Sequence, residues 1–453
     1  MRPRIFRRPW DLGTWLYNLG LLVLSPVLVL WLAWRIVVRG KGREGLKERL
    51  GFLPKPVLDV ARGEDPVVWF HAVSVGEVGA AESILHEFSL REPHAAVVLS
   101  TTTPTGRQMA ERRRLETHGI FYFPFDLVPI PERVLNALRP AMLVLVEGEL
   151  WPNLLAAARR REIPVAVVNA RFSDRAFARA KLIRPLYRWV LRSVDLVCAQ
   201  SEQDAERYRA LGATADRVQV MGNTKFDERF PEVSSAEAAH LKLEFGFPPE
   251  APVLVAGSTH QGEDEVILEA FSRLRASHPD LELVIAPRHP ERADHVHETV
   301  EHYGFAVYRR SHAQAGQPQP EPAGPQARVA ILDTIGELAR VYAMATVVFV
   351  GGSLVPKGGH NILQPLAQGK PVLTGPYMHN FRDVFELALR ANAVQVVRNS
   401  EQLTAAAEAL LDSPEEQAAW RERGLRMIAE QQGASARIAE ALVTLLHRRL
   451  GIA

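Results

Sequence analysis

Several signatures are missing from the sequence. It has one cysteine in 453 residues, 54 Lys and Arg against 52 Asp and Glu, and no glycine-rich nucleotide fingerprint after the first strand of either half. Each absence excludes something. A lone Cys198 cannot form an internal disulfide or a Cys-rich zinc or iron–sulfur site, and its apolar surroundings mark it as core. Without Gly-x-Gly-x-x-Gly or Gly-x-x-x-x-Gly-Lys-Ser/Thr, the dinucleotide and P-loop readings lose their main support. His71, His260, His289 and His360 show no His-Glu-x-x-His or other metal-ligand spacing, so neither a metal nor another cofactor is expected. The small net charge of +2 hides an asymmetry: residues 1–50 carry ten Lys/Arg and three Asp/Glu, leaving the remainder net acidic. Nucleic acid is therefore a poor partner for the body of the protein and an anionic membrane surface a better one. With 47% hydrophobic and 23% charged residues the composition is globular, and the length suits two or three domains.

One long apolar run is present. Leu12–Trp34 has 23 residues without a formal charge, roughly 35 Å as a helix and enough to cross a bilayer. Trp10, Trp15, Tyr17, Trp31 and Trp34 lie toward its ends, where amphipathic rings favour headgroups, and Pro26 introduces a kink. The run is longer than a signal-peptide core of roughly 7–15 residues and lacks an Ala-x-Ala exit. Arg2, Arg4, Arg7 and Arg8 precede it, and Arg35, Arg39, Lys41, Arg43, Lys47 and Arg49 follow it. That balance favours a body on the cytoplasmic side of a membrane, with the helix spanning the bilayer or lying in its plane.

Beyond residue 40, short β-branched runs alternate with helical patterns: Val67–Val73, Ala95–Thr101, Met142–Val146, Pro164–Asn169, Asp195–Ala199 and Val218–Met221. The alternation restarts with Val253–Gly257, Leu281–Ala286, Phe305–Tyr308, Val329–Leu332, Val347–Val350, Pro371–Thr374 and Val394–Val397. Fully apolar strands between helices indicate parallel sheets covered on both faces, hence two doubly wound α/β domains. The organisation reads as an anchor over 1–40, a first domain over 41–230, a second over 231–420 and C-terminal helices over 421–453. Ser311–Ala327, rich in Pro, Gln and Ala, reads as a mobile surface loop.

Open α/β sheets bind ligands at the C-terminal ends of their strands, and the chemistry-bearing residues cluster at such ends. Glu77 closes His71-Ala-Val-Ser-Val-Gly-Glu77 in the first turn of a helix, either as a capping acid or as a general base. Glu147 and Glu149 flank Gly148 after the next central strand, where one can cap the following helix. Lys225 lies in Gly222-Asn-Thr-Lys225-Phe-Asp227 near the domain junction, either solvated or able to neutralise a phosphate leaving group. In the second half Pro287-Arg288-His289 follows a strand, and the Arg288 guanidinium suits a phosphate. The glycine-rich stretch Gly351–Asn361 leads into a helix whose first backbone N–H groups can receive a phosphate.

Taken in order, HAVSVGE, EGELWPN, NARFSDRA, GNTKFD, GSTHQGEDE, PRHPER, DTIGELARVY and FVGGSLVPKGGHNILQP are far more specific than any one of them. The sequence resembles the 3-deoxy-D-manno-octulosonic acid (Kdo) transferases of lipopolysaccharide synthesis over nearly its whole length. The resemblance implies a GT-B glycosyltransferase: two Rossmann-like domains with a deep cleft between them, an N-terminal membrane-anchor helix, and C-terminal helices that cross back to the first domain. It implies CMP-Kdo as donor and a lipid A precursor as acceptor. Glu77 then resembles the general base of an inverting transfer, and Glu147 and Lys225 the pair that stabilises its transition state. Pro287, Arg288, Ile335, Gly336, Glu337, Asn361, Ile362, Leu363 and Gln364 resemble the CMP-binding positions. Gln364 stands where the family pattern has a glutamate, which removes charge assistance of about 1 kcal/mol, and Gly148 where it commonly has threonine. Another nucleotide-sugar transferase or a sugar-nucleotide epimerase would share the architecture, and a membrane-tethered sugar-binding protein would need a cleavable signal or lipidated cysteine that the sequence lacks.

Overall fold

The computed structural model describes residues 12–37, 44–317 and 328–452, with the side chains of 27–33 and 35–37 outside the description. The chain divides into two compact units, Met1–Glu228 with Gln431–Ala453, and Arg229–Glu430.

In the first unit, seven strands form one sheet in the order β3-β2-β1-β4-β5-β6-β7: β1 Val67–His71, β2 Ala96–Thr101, β3 Gly119–Tyr122, β4 Met142–Val146, β5 Val165–Ala170, β6 Leu196–Ala199 and β7 Val218–Val220. Every pairing is parallel, with Val68 opposite Val97 on one side and Met142 on the other. The period of two along a strand sorts the side chains between two cores. Trp69, Val98, Leu143 and Val165 face one side. Phe70, Val97, Val144 and Cys198 face the other, where Ile438, Leu442 and Leu446 of the C-terminal helix Ala434–Leu450 pack with the helix Val75–Arg91. Burying each of these aliphatic side chains contributes roughly 1.5–3 kcal/mol, so the helix is fastened mainly by its apolar stripe. Cys198 is a buried core residue, as its setting implied.

The second unit repeats the plan with β8 Val253–Thr259, β9 Glu282–Pro287, β10 Ala306–Arg309, β11 Arg328–Ile331, β12 Val347–Val350, β13 Val372–Thr374 and β14 Val394–Val396, in the order β10-β11-β9-β8-β12-β13-β14, again all parallel. In both sheets the order reverses beside the first strand, at β1/β4 and at β8/β12. Such a switch point leaves a crevice at the strand ends.

Two sequence expectations change. β3 was not anticipated: it opens on Gly119 and holds a single β-branched residue, Ile120, so it lacks the aliphatic run that marks a strand. The segment expected to be a loop from Ser311 begins as the short helix Arg310–Gln314, because Asp333 accepts the Ser311 N–H at 2.8 Å and its hydroxyl at 2.6 Å; residues 318–327 of that expectation lie outside the described residues.

Leu12–Val37 is one helix containing Pro26. Among the described residues no helix is long and apolar enough to cross a membrane, and the basic residues expected at 2–8 and 39–43 lie outside them. The first turns dock on the first unit through a polar stripe. Thr14 is buried, the Tyr17 hydroxyl donates to Asp126 at 3.2 Å, and Asn18 and Asn153 exchange amide hydrogen bonds of 2.7 and 2.9 Å. Leu12, Trp15, Leu16, Leu19, Leu22 and Val23 face away and are exposed.

Candidate active site

At the β1/β4 switch point the loop after β1 turns into the helix Val75–Arg91, putting Glu77 at its third residue. The Glu77 carboxylate accepts the Val73 N–H at 2.7 Å, with the Ser74 hydroxyl at 3.4 Å. The capping role is therefore real, but it uses little of the carboxylate's capacity. Burial pushes the carboxyl up to about 7, and the neighbouring charges of Glu147 and Glu149 push the same way. These three acids, separate in sequence, are gathered at the ends of adjacent strands.

The β4 end is strained. Glu147 adopts φ 63°, a left-handed conformation that costs a non-glycine residue roughly 1–2 kcal/mol. Gly148 follows at φ 124°, and a Cβ there would run into the Tyr208 hydroxyl. Glu147 lies 4.0 Å from the Arg171 guanidinium, and Glu149 accepts from the Trp151 indole at 3.1 Å. His71 closes β1, its ring stacked on Phe123 at 3.8 Å, Nδ1 beside Ser100 and Nε2 4.0 Å from Glu149. Burial lowers its pKa, against the pull of Glu149. Arg171 and His71 were not singled out as site residues in the sequence. Their only signal was position, one residue past β5 and at the end of β1.

Lys225 occupies a 3₁₀ turn, Thr224–Asp227, packed on the Val75–Arg91 helix. Asn223 accepts the Lys225 N–H at 3.0 Å, and Asn169, at φ 50° near the end of β5, accepts that of Thr224 at 3.2 Å. Asp227 in turn accepts the N–H groups of Gly433 and Ser435 at 2.7 and 2.6 Å, tying the turn to the start of the C-terminal helix. Glu77, Glu147 and Lys225 thus all sit at the same edge of the first sheet.

In the second unit the predicted nucleotide-binding positions follow β9, β11 and β12. Pro287 ends β9 and is buried, while Arg288 is exposed with its N–H on the Thr259 carbonyl at 3.0 Å. Ile335 is 81% exposed. Gly336 has open space around it. Glu337 is held by Arg310 and Thr334, whose hydrogen bonds keep its pKa below the ordinary value despite the cost of burial. Asn361 caps the Leu363 N–H at 2.9 Å, and Gln364 is half-buried. Ile362 and Leu363 are core residues, so toward a ligand they offer backbone only.

The glycine-rich loop after β12 is braced at its first residues. Its N–H groups at Gly352, Ser353 and Leu354 are already taken by one carboxylate, Glu263, at 2.6, 3.0 and 2.9 Å, which also accepts the His260 N–H at 2.9 Å. The helix that follows, Leu363–Ala367, has five residues. At this switch point side chains are also at hand for a phosphate. Three imidazoles stand there, with His260 Nε2 2.9 Å from His360 Nε2 and the His289 ring 5.8 Å from that of His260. Among the described residues, no cluster of His, Cys, Asp and Glu has the arrangement of a metal site.

Two doubly wound units with polar side chains gathered at each switch point suit an enzyme that handles two polar substrates. Comparison with known proteins narrows the class. Residues 44–228 match the family described as 3-Deoxy-D-manno-octulosonic-acid transferase (kdotransferase). The chain is 32% identical to a 3-deoxy-D-manno-octulosonic acid transferase of Haemophilus influenzae, over 96% of its own length and 99% of the relative's. It is 35% identical to that of Bordetella pertussis, over 95% and 99%. In fold it is similar to the UDP-GlcNAc 2-epimerase of Neisseria meningitidis, with a TM-score of 0.55 and 13% identity over 83% of this chain and all of that one; that likeness concerns the fold alone. The chain is a glycosyltransferase of the GT-B type. It belongs to the 3-deoxy-D-manno-octulosonic acid transferase family.

Proposed function

We propose that the protein transfers Kdo with inversion from CMP-Kdo to a lipid A precursor, lipid IVA, in lipopolysaccharide core synthesis, with Glu77 as general base. The observation that carries the reading is the Glu77 carboxyl: raised to about 7, it is divided between its two protonation states near neutral pH, where a general base works best. In the reaction the acceptor hydroxyl oxygen bonds the anomeric carbon of Kdo, its proton passes to Glu77, and the bond from that carbon to the CMP phosphate oxygen breaks. Positive charge grows on the sugar ring and negative charge on the phosphate. Glu147 offsets the first and Lys225 the second, fixed charges that act most strongly in the transition state. Pro287, Arg288, the Ile335–Glu337 loop and Asn361–Gln364 hold CMP.

In this reading the helix Leu12–Val37, with its exposed apolar face, places the body at the cytoplasmic face of the inner membrane where a lipid acceptor resides. The decisive experiment measures CMP release from CMP-Kdo with and without a tetraacylated lipid A precursor, followed by mass analysis of the lipid. Lipid-dependent release with a Kdo mass added is the expected result. Nucleotide release that ignores the lipid would point to an epimerase-like reaction instead.

A further inference from the structure

The β8/β12 switch point holds a device that the nucleotide-binding positions do not include. His260 follows β8 and His360 belongs to the loop after β12, and their rings lie within 4° of parallel with Nε2 atoms 2.9 Å apart. At that separation one nitrogen carries the hydrogen and the other accepts it. The pair is built, not incidental. Gly352, at φ 67°, runs beneath it, and a Cβ there would lie 2.9 Å from His360 Nε2 and 3.3 Å from the His260 ring. Glu263 pins both loops from below, its two oxygens shared among the four N–H groups of His260, Gly352, Ser353 and Leu354.

The remaining charged groups acting on the pair are the cations Arg288, Arg292 and Lys357, with Arg292 paired to Asp264 and the His289 ring alongside. Burial and these cations lower the pKa of both imidazoles, that of His360 to about 4. Both rings are therefore neutral at pH 7 while the site holds no anion, although the setting is one that an anion would relieve.

We propose that His260 and His360 together form a proton-sharing phosphate clamp, which takes up one proton from solvent when a phosphate binds beside it. One proton added to the pair keeps the Nε2–H···Nε2 bond and leaves an N–H on each Nδ1. A neutral hydrogen-bonded pair thereby becomes a monocation with two outward donors. This inference rests on the reading of the second unit as the CMP-Kdo site and deepens it. The donor carries a phosphodiester with one negative charge, whereas departing CMP carries a monoester that gains a second. The clamp therefore strengthens as the bond from Kdo to phosphate breaks, while the acceptor's proton goes separately to Glu77. The pair supplies an anion contact that Gly352, Ser353 and Leu354, their N–H groups held by Glu263, do not.

The test is calorimetric binding of CMP, cytidine and inorganic pyrophosphate to the full chain at pH 7, in two buffers of different ionisation enthalpy, so that proton uptake is counted. Wild type should take up close to one proton with CMP and with pyrophosphate, and none with cytidine. His360→Asn and His260→Asn should each abolish that uptake and shrink the CMP-to-cytidine affinity ratio roughly tenfold or more. Gly352→Ala, which crowds the pair without removing it, should do the same to a smaller degree. CMP binding without proton uptake, or an affinity ratio unchanged in both histidine variants, would overturn the clamp and leave the CMP-Kdo reading standing. Proton-coupled pyrophosphate binding that the histidine variants abolish, with CMP no tighter than pyrophosphate, would keep the clamp and remove the cytidine nucleotide from the site.

Discussion

Glu77 and Glu263 occupy corresponding places in the two units. Each follows the first strand of its sheet, stands at or just before the start of the next helix, and accepts a backbone N–H from its own loop. Burial raises the pKa of both. They differ in what else they hold. Glu77 accepts a single short backbone hydrogen bond and faces two further carboxylates, whereas Glu263 is fully buried and saturated by four N–H groups from two loops. A saturated carboxylate is a structural brace. An under-saturated one among like charges is available to move a proton. One topology thus carries an acidic switch point in the first unit and an imidazole and cation-rich one in the second.

The largest expected effects separate these two acids. Glu77→Gln should lower kcat by roughly 10²–10⁴, leave CMP affinity within about twofold, and fold normally. Glu263→Gln should instead destabilise the protein by about 1–3 kcal/mol and weaken CMP binding, because either amide orientation sets an NH2 group against two backbone donors. Urea melts and CMP titrations of both variants check this. A Glu263→Gln enzyme of normal stability and CMP affinity but lost turnover would break the comparison.

The pH dependence should be nearly as telling. With its carboxyl raised to about 7, Glu77 gives a kcat/KM that climbs about tenfold per pH unit below 7 and levels off above it. For stability the sign is opposite. A folded-state value above the unfolded one means that the contribution is complete below about pH 4.5 and is lost as pH rises through 7. The melting temperature should therefore fall between pH 5.5 and 8, and Glu77→Gln should flatten that fall. Asp126 and Glu282, also raised to about 7 by burial, keep part of the slope. An unchanged slope in Glu77→Gln would mean that its carboxyl titrates normally.

The loops after β4 and β12 each hold a glycine that makes room for a different neighbour. Gly352 lies beneath the imidazole pair, while Gly148 leaves room for a Tyr208 hydroxyl that is buried and has no hydrogen-bond partner among the described residues. Gly148→Ala should cost about 1–3 kcal/mol by overpacking and added backbone strain at φ 124°. Tyr208→Phe should be near neutral, since it deletes an unpaired hydroxyl, and the double variant should recover part of the loss. Equal costs of Gly148→Ala in both backgrounds would show that the hydroxyl is not the obstacle.

Among the described residues thirteen of fourteen strands were legible, most of them because aliphatic runs buried on both faces leave a clear signal, and the missed one, β3, opens on a glycine and holds a single β-branched residue. The acids of the first switch point were legible because strand ends concentrate ligand chemistry. Their charge coupling was not, since Glu77 and Glu147 are seventy residues apart and meet only through the β1/β4 pairing. For the same reason the brace of the glycine-rich loop was not legible. Nothing near Gly351–Ser353 in sequence announces that Glu263 fills it, and the His260–His360 bond joins residues one hundred positions apart.

The smallest predicted effect concerns how the acidic loop is braced. In the second unit Glu263 does this from within, whereas in the first the residues just after Glu147–Glu149 are held by other elements. Asp126 accepts the N–H groups of Asn153 and Leu154 at 2.9 and 2.8 Å, and Asn153 pairs with Asn18 of the N-terminal helix. Asn18→Ala removes the two amide hydrogen bonds with Asn153 and the one to the Thr14 carbonyl but keeps the Asp126 cap, so stability should fall by about 1 kcal/mol with kcat changed less than about twofold. Urea melts and lipid-dependent CMP release measure the two quantities separately. A loss of turnover much larger than the loss of stability would mean that the helix Leu12–Val37 sets the geometry of the acidic loop, making it part of the catalytic unit and not only its attachment.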